Sequence, residues 1–293
     1  MRRPRPPVGA HVPVGRGLAR QGLAYADAVG AEAVQIFVSN PRGWALSPGD
    51  PLQDSAFRDG CAERGLPAYV HAPYLVNLGS PTPATVTRSV QMLGHAVDRG
   101  RAIGAAGVVF HAGTAGPLAA GGSRERAAGQ LREHLLPLLD GLDRDGGDGP
   151  DLLVEGTAGG GQPLAATVDE LAAFVALLDG HPRLGVCLDT CHAFAAGEDL
   201  AAPRGVRRVL DHLVLALGRG RLRLVHANGS KDALGSTRDR HERIGAGALG
   251  RGVFGDLLAH PAVRRAVVVI ETPGGQADHA EDIAVLQGLR DGR

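Results

Sequence analysis

The sequence predicts an α/β protein with a (β/α)8 TIM barrel, formed by a single domain that spans residues 1–293. Eight short apolar runs recur along the chain, and amphipathic stretches of helical periodicity lie between them. Strands that alternate with helices favour a parallel sheet. Eight such units in 293 residues suit a closed barrel better than a doubly wound open sheet, which usually needs fewer units.

The predicted strands cover residues 8–12, 33–38, 68–72, 107–112, 151–155, 184–189, 221–227 and 266–272. One helical stretch opens with Thr167 and has Glu170 three residues later, which is the spacing of a capping box. The polar, glycine-rich residues 142–151 are predicted to form a surface loop. Residues 227–250 are predicted to form a long loop, and loops of that length are uncommon unless they are functional.

Composition limits the classes of function. The formal net charge is zero, so the overall charge gives no indication of a nucleic-acid partner. The three cysteines, Cys61, Cys187 and Cys191, fit a reducing compartment better than a disulfide framework. The charged N-terminus lacks a following apolar signal region, and no apolar run reaches membrane-spanning length. We therefore expect a cytoplasmic protein without a membrane partner.

Potential metal ligands close six of the eight predicted strands. In chain order they are His71, His111, Glu155, Asp189, His226 and Glu271. In a TIM barrel these strand ends lie on one rim, where active sites form. A single histidine at a strand end is usually a hydrogen-bonded structural residue. Six ionisable groups on one rim are different, because burying them without a metal would be costly.

Three further candidates lie just beyond the strand ends. His192 follows Asp189 by three residues, and Asp239 and His241 are two residues apart, so an extended backbone would place both on one face. The full set of nine exceeds what one ion can bind and predicts two or three ions with a bridging carboxylate. Imidazole and carboxylate ligands suit zinc, manganese or iron. Cys187 and Cys191 have a C-x3-C spacing, and we expect structural roles for both.

The sequence resembles the endonuclease IV family, zinc-dependent abasic-site endonucleases of DNA base excision repair. The resemblance covers nearly the whole chain and rests on the blocks QIFVSNPRGW, HAPYLVNLGS, VCLDTCHAFAAG, GSTRDRHERIGAGALG and VIETPG. It implies a TIM barrel that hydrolyses the phosphodiester bond 5′ to an abasic site, leaving a 3′-hydroxyl and a 5′-deoxyribose phosphate. It also implies trimming of blocked 3′ ends. The implied partner is double-stranded DNA with abasic sites or blocked 3′ ends, bound by a monomer.

The resemblance further implies three zinc ions, with manganese possible at one site. Their ligands would be His71, His111 and Glu155 for the first ion, Glu155, Asp189, His226 and Glu271 for the second, and His192, Asp239 and His241 for the third. Glu155 and Glu271 would be the catalytic carboxylates, with Glu155 bridging two ions and Glu271 orienting or deprotonating the attacking water.

The resemblance also implies that three side chains from early loops insert into the duplex at the lesion. These are Arg42, Tyr74 and Leu75. An inserted wedge fits the way in which proteins kink DNA, and a missing base makes displacement of the sugar less costly.

Four positions depart from the family pattern: Ala112, Gly156, Gly229 and Ala246. None is a candidate ligand, so we expect them to affect the groups that support the ligands rather than the class of reaction. Two alternatives stay open. A sugar isomerase or epimerase on the same barrel would need only one or two divalent ions, and a damaged-DNA-binding protein would need no turnover.

Overall fold

The protein forms the closed parallel barrel that the sequence predicts, in a computed structural model that describes residues 5–144 and 149–292. The barrel strands are β1 (Val8–His11), β2 (Val34–Phe37), β3 (Ala68–His71), β4 (Gly107–His111), β5 (Asp151–Glu155), β6 (Leu184–Asp189), β7 (Leu222–His226) and β10 (Val267–Ile270). They pair in sequence order, and β10 pairs with both β7 and β1 to close the barrel. The fold-class prediction is confirmed, while the extent 1–293 of the domain stays a prediction.

The helices surround the barrel. They are α1 (Ala24–Val29), α2 (Pro51–Arg64), α3 (Pro83–Ala102), α4 (Arg124–Arg144), α5 (Val168–Leu177), α6 (Thr190–Ala196), α7 (Gly205–Leu217), α8 (Arg251–Ala259) and α9 (Gln276–Asp291). Short helical turns cover Leu18–Leu23, Leu118–Ala120 and Val263–Arg265. The predicted capping box starts α5, where Thr167 and Glu170 bond reciprocally. Within the described ranges, no helix has the length and apolar character required to traverse a bilayer.

The alternation of side chains along each strand separates two cores. Residues facing outward pack against the helices in one large cluster. Inward-facing residues form a second, smaller cluster, which consists of Ala33, Tyr69, Val109, Leu153, Cys187, Leu224, Val267 and Val269. Because side chains alternate with a period of two, the residue two positions further along each strand also faces inward. Six of those next positions carry the candidate ligands that close the strands.

The predicted loop at 227–250 contains regular structure that the sequence did not indicate. Strands β8 (Gly229–Ser230) and β9 (His241–Glu242) pair antiparallel and form a ribbon above the barrel. Two residues per strand are too few to leave a periodic pattern in the sequence. The predicted loop at 142–151 is also corrected, because α4 continues to Arg144 and β5 begins at Asp151. Residues 145–148 of that loop lie outside the described residues.

Candidate metal centre

The nine candidate ligands meet at the carboxyl ends of the barrel strands. Six occupy inward-facing strand ends: His71, His111, Glu155, Asp189, His226 and, directly after β10, Glu271. His192 reaches the same place from the first turn of α6, and Asp239 and His241 reach it from the segment that carries β9. These residues divide into three groups, and within each group one potential ligand atom per residue lies within 4.8 Å of all the others.

The first group consists of His71, His111 and Glu155. The Nε2 atoms of both histidines lie 3.2 Å from the same carboxylate oxygen, Glu155 Oε2. Parallel pairing fixes these distances, because His111 and Glu155 are register partners on β4 and β5. Glu155 is fully buried, so its charge needs compensation from groups in direct contact.

The second group consists of Glu155, Asp189, His226 and Glu271. Its centre is His226 Nδ1, which lies 3.0 Å from Glu155 Oε1, 3.4 Å from Glu271 Oε2 and 3.8 Å from Asp189 Oδ2. Glu155 therefore faces the first group with Oε2 and the second group with Oε1. This division is the geometry of a carboxylate that bridges two adjacent sites.

Asp189 divides its two oxygens in a similar way. Oδ1 accepts hydrogen bonds from the backbone N–H groups of Cys191 and His192, at 2.6 and 2.9 Å, and so caps α6. Oδ2 is directed to the second group and lies 3.5 Å from His241 Nε2. The helix cap thus fixes the orientation of the candidate ligand.

The third group consists of His192, Asp239 and His241. The Nε2 atoms of the two histidines both lie 3.1 Å from Asp239 Oδ1. Both nitrogens are buried, yet neither has a partner in hydrogen-bonding geometry among the described residues. Buried polar atoms without partners are rare. Two of them beside one carboxylate oxygen fit a site built for a cation.

Three of the candidate histidines are also anchored in the way that metal-binding histidines require. His71 Nδ1 donates to Ala72 O at 2.7 Å, His192 Nδ1 donates to Gly156 O at 3.0 Å, and His241 Nδ1 donates to Glu271 O at 3.2 Å. One nitrogen of each ring is thereby committed to a carbonyl, which leaves Nε2 as the nitrogen that can bind a metal. The donor set and its anchoring therefore fit divalent metal ions.

The charges lead to the same conclusion. Burial alone would raise the pKa of Glu155, but His226 and then His111 hold that pKa well below its usual range. Burial alone would lower the pKa of His241, but the Asp189 carboxylate and then Asp239 raise it to about 9. Protons on His226 and His241 thus balance the buried carboxylates, and divalent cations would replace those protons.

Cys187 and Cys191 both lie close to candidate ligands. The Cys187 thiol lies within 4.8 Å of ligand atoms of Glu155 and His226, and that of Cys191 within the same distance of Asp189 and His241. Burial raises the pKa of Cys187 to about 12 and that of Cys191 to about 11, so both are neutral thiols near pH 7. Their predicted structural roles stay predictions.

Comparisons with known proteins give the same fold and identify the family. A family model described as a xylose isomerase-like TIM barrel matches residues 23–289. A "Probable endonuclease 4" of Streptomyces coelicolor is 57% identical over 291 residues, which are 99% of this chain and 97% of the relative. This chain belongs to the endonuclease IV family. A crystal structure of endonuclease IV from Thermus thermophilus is 35% identical, with a TM-score of 0.82 over 98% of this chain and 100% of that chain.

A solved D-tagatose 3-epimerase-like protein shares the fold alone. It is 16% identical, with a TM-score of 0.72 over 97% of each chain. Such a barrel places ionisable residues at strand ends whatever the reaction, so this likeness carries no statement about chemistry.

Gln35, which was not predicted as a site residue from the sequence, is fully buried at the inward-facing position of β2. Its Oε1 accepts from His226 Nε2 at 2.8 Å, and its Nε2 donates to Glu271 Oε1 at 2.6 Å. His11 Nδ1 also contacts Glu271 Oε1, at 3.2 Å. Gln35 therefore fixes which nitrogen of His226 faces the centre of this endonuclease IV homologue. The sequence does contain a sign of this role: Gln35 is a single amide in an otherwise apolar predicted strand, and it lies two positions after the inward-facing Ala33.

Asn228 was missed as well. Its Nδ2 donates to Asp189 Oδ2 at 2.7 Å, and its Oδ1 accepts from the backbone N–H of Glu271 at 2.8 Å. One amide thus holds two candidate ligands that lie on different strands. Asn228 follows His226 by two residues, and the inward-facing period continued past the strand end would have found it.

The three residues that the endonuclease IV resemblance assigned to DNA lie on neighbouring loops at the same rim. Arg42 is exposed, Tyr74 is 47% exposed and Leu75 is half-buried. A backbone hydrogen bond of 3.1 Å from Tyr74 N to Pro41 O joins the two loops. The Tyr74 ring centroid lies 5.5 Å from that of His71, so this side chain borders the candidate metal centre. The wedge roles stay proposals.

One departure from the endonuclease IV pattern has a structural reason. A Cβ added at Gly229 would lie 2.6 Å from Arg243 O and 2.9 Å from Glu242 O. The backbone next to β9 therefore occupies the space that a side chain at this position would need. At Gly156 an added Cβ would make only ordinary contacts, and nothing in the structure explains the glycine there.

Proposed function

We propose that this chain hydrolyses the DNA phosphodiester bond 5′ to an abasic site and trims blocked 3′ ends, using zinc ions held by the three groups. The observation that carries the proposal is the convergence of all nine candidate ligands into three groups, two of which share Glu155, on a chain of the endonuclease IV family. The products would be a 3′-hydroxyl and a 5′-deoxyribose phosphate.

The first group would hold one zinc ion, the second group another and the third group a third, with Glu155 shared between the first two. Manganese would suit one of the sites because imidazole and carboxylate ligands accept it. When bound, the ions would lower the pKa of a water molecule and neutralise charge on the phosphate oxygens.

Glu271 is proposed to orient or deprotonate the attacking water. Gln35 Nε2 and His11 Nδ1 engage its Oε1, which leaves Oε2 to face the second group. Burial alone would raise the pKa of Glu271, but His226 and then His11 hold it below its usual range. The carboxylate is therefore charged at neutral pH, and Oε2 can accept a hydrogen bond from the attacking water and so orient it. Its side chain is 14% exposed, which gives substrate access to it.

Recognition of the lesion is proposed to depend on Arg42, Tyr74 and Leu75. The exposed part of Tyr74 lies above the first group, where a displaced abasic sugar would have to enter. Half-buried Leu75 and the hydrogen bond between the two loops would keep this wedge rigid. A rigid wedge reduces the entropy that DNA binding would otherwise have to offset.

A sugar isomerase or epimerase remains the second candidate function. The second group alone supplies four ligand atoms for a single divalent ion. The first and third groups would then have no assigned role, although they contain His71, His111, His192, Asp239 and His241, none of which belongs to the second group. The endonuclease proposal uses every candidate.

The test is cleavage of a duplex that carries one tetrahydrofuran abasic analogue. This analogue cannot undergo β-elimination, so a lyase cannot cut it. We expect a cut immediately 5′ to the analogue that leaves a 3′-hydroxyl, disappears after prolonged chelation and returns when zinc is added. The matched undamaged duplex should stay intact. Absence of any cut by zinc-loaded protein would contradict the proposal.

A further inference from the structure

An arginine two residues after His241 holds the third group's segment against α9. The guanidinium of Arg243 donates to Asp278 Oδ1 at 2.7 Å, to Glu281 Oε2 at 3.0 Å and to Asp282 Oδ1 at 3.1 Å. The side chains of Asp278 and Glu281 are 43% and 72% exposed, so their ion pairs with Arg243 contribute little to stability. Asp282 is 2% exposed, so its ion pair with Arg243 is the one that holds the segment against α9.

The buried Asp282 carboxylate connects two segments that both carry candidate ligands. Its Oδ1 accepts from Arg243 and, at 3.4 Å, from the backbone N–H of Ile244. Its Oδ2 accepts from the Thr272 hydroxyl at 2.7 Å. Thr272 directly follows Glu271, and Ile244 lies three residues after His241. One side chain on α9 therefore fixes the separation of the end of β10 from the segment that follows β9.

That separation controls the His241 ring. His241 Nδ1 donates to the backbone carbonyl of Glu271 at 3.2 Å, which leaves Nε2 as the candidate ligand atom. If the two segments moved apart, this bond would break, and the ring would lose both its orientation and its proton assignment. Asp239, on the same segment, is 54% exposed, so burial holds it less firmly than it holds the ligands on the strands.

We propose that Asp282, with Arg243 and Thr272, is a positioning residue that sets the affinity of the third group for its metal ion. The inference rests on the proposed function, because it concerns the third of the metal sites proposed above. Asp282 contacts none of the nine candidates. It acts through the backbone on either side of His241 and Glu271.

The test compares metal binding by Asp282→Asn with that of the wild type. Metal-free protein would be titrated with zinc against a competing chelator, and zinc content would be measured by atomic emission. We expect the variant to keep the zinc of the first and second groups. We expect its affinity for one ion to fall about 10–100-fold, the usual effect of losing a group that orients a ligand.

Asp54→Asn provides the matched control. Asp54 is 5% exposed and forms a two-pronged pair with Arg99 that links α2 to α3 away from the metal centre. Its loss should lower thermal stability without changing the affinity for any zinc ion. An equal loss of affinity in both variants would overturn the inference, because it would show a general effect of instability.

Thr272 supplies a second pair of variants if Asp282→Asn fails to fold. Thr272→Val keeps the shape and removes the hydroxyl, and we expect it to weaken the same zinc ion. Thr272→Ser keeps the hydroxyl that Thr272→Val removes, so it should bind this zinc ion with wild-type affinity. If the wild type binds all three zinc ions and Asp282→Asn or Thr272→Val binds zinc with wild-type affinity, the inference is overturned while the proposed function stands. A wild type that binds no zinc at the third group would overturn the proposed function and the inference together.

Discussion

The first and second groups differ from the third in what holds them. The first two lie on barrel strands, where parallel pairing sets Glu155 beside His111 and Asp189 beside His226. Asp239 and His241 lie instead on the segment around β9, and Asp239 is 54% exposed while Glu155 is fully buried. The register of the parallel strands fixes the positions of the ligands on the strands without additional side-chain contacts. Asp239 and His241 depend on contacts between their segment and α9. We therefore expect the metal ion of the third group to dissociate most readily.

Glu155→Gln should have the largest effect, because Glu155 belongs to both strand-borne groups. The amide keeps the volume but replaces one of the two bridging oxygens with an N–H2 donor that repels a cation. We expect loss of the ions of the first and second groups, and a fall in cleavage of the abasic duplex well beyond the 10–100-fold typical of a supporting residue. Metal content and single-turnover cleavage would measure this.

Glu32→Gln is the control for that change. Glu32 pairs with Arg290 away from the candidate metal centre, so the same substitution there should leave metal content and cleavage unchanged. Retention of full metal content in Glu155→Gln would show that the carboxylate does not bridge the two groups.

His241→Ala should have a smaller and more local effect. We expect the loss of one zinc ion and of most activity, about 100-fold, while the fold and the other ions remain, because barrel register does not depend on this ring. Metal analysis and thermal unfolding would check both parts. The control is His212→Ala, since His212 is a 44% exposed residue on α7. Full activity with unchanged metal content in His241→Ala would exclude it as a ligand.

The same contrast explains what could be predicted from the sequence. The period of two along β3 to β7 identifies His71 and His226 as inward-facing without any tertiary information. Gln35 escaped prediction because a buried amide carries no charge, and its role depends on side chains from β7 and the end of β10 that meet it only in the closed barrel. The contact of Arg243 with Asp282 escaped because 39 residues separate them. No local pattern records such a pairing.

The third group should also respond to pH in a defined direction. The pKa of His241, raised to about 9 chiefly by Asp189, means that the ring is protonated at pH 7 before metal binds. The Asp189 carboxylate also raises the pKa of His192, against the lowering effect of burial, so zinc must displace a proton from each ring. Its affinity for the third group should therefore rise about 100-fold per pH unit while both rings are protonated, and less steeply above the pKa of His241. Calorimetric titrations in two buffers of different ionisation enthalpy would count the protons released. Affinity that stays constant from neutral pH up to the pKa of His241 would contradict this assignment.

Cys191→Ser should have the smallest effect and tests the boundary between the two regions. Cys191 lies between Asp189 and His192 in sequence, and its thiol is within 4.8 Å of ligand atoms of Asp189 and His241. In the metal-free protein its pKa, raised to about 11 by burial, keeps the sulfur protonated near pH 7, so binding zinc through sulfur would require the loss of that proton. We therefore expect unchanged zinc stoichiometry and activity within about twofold, measured beside Cys61→Ser, whose buried thiol lies on α2. Loss of one zinc ion in Cys191→Ser alone would make sulfur a ligand and would give the third group a second ligand from α6 beside His192.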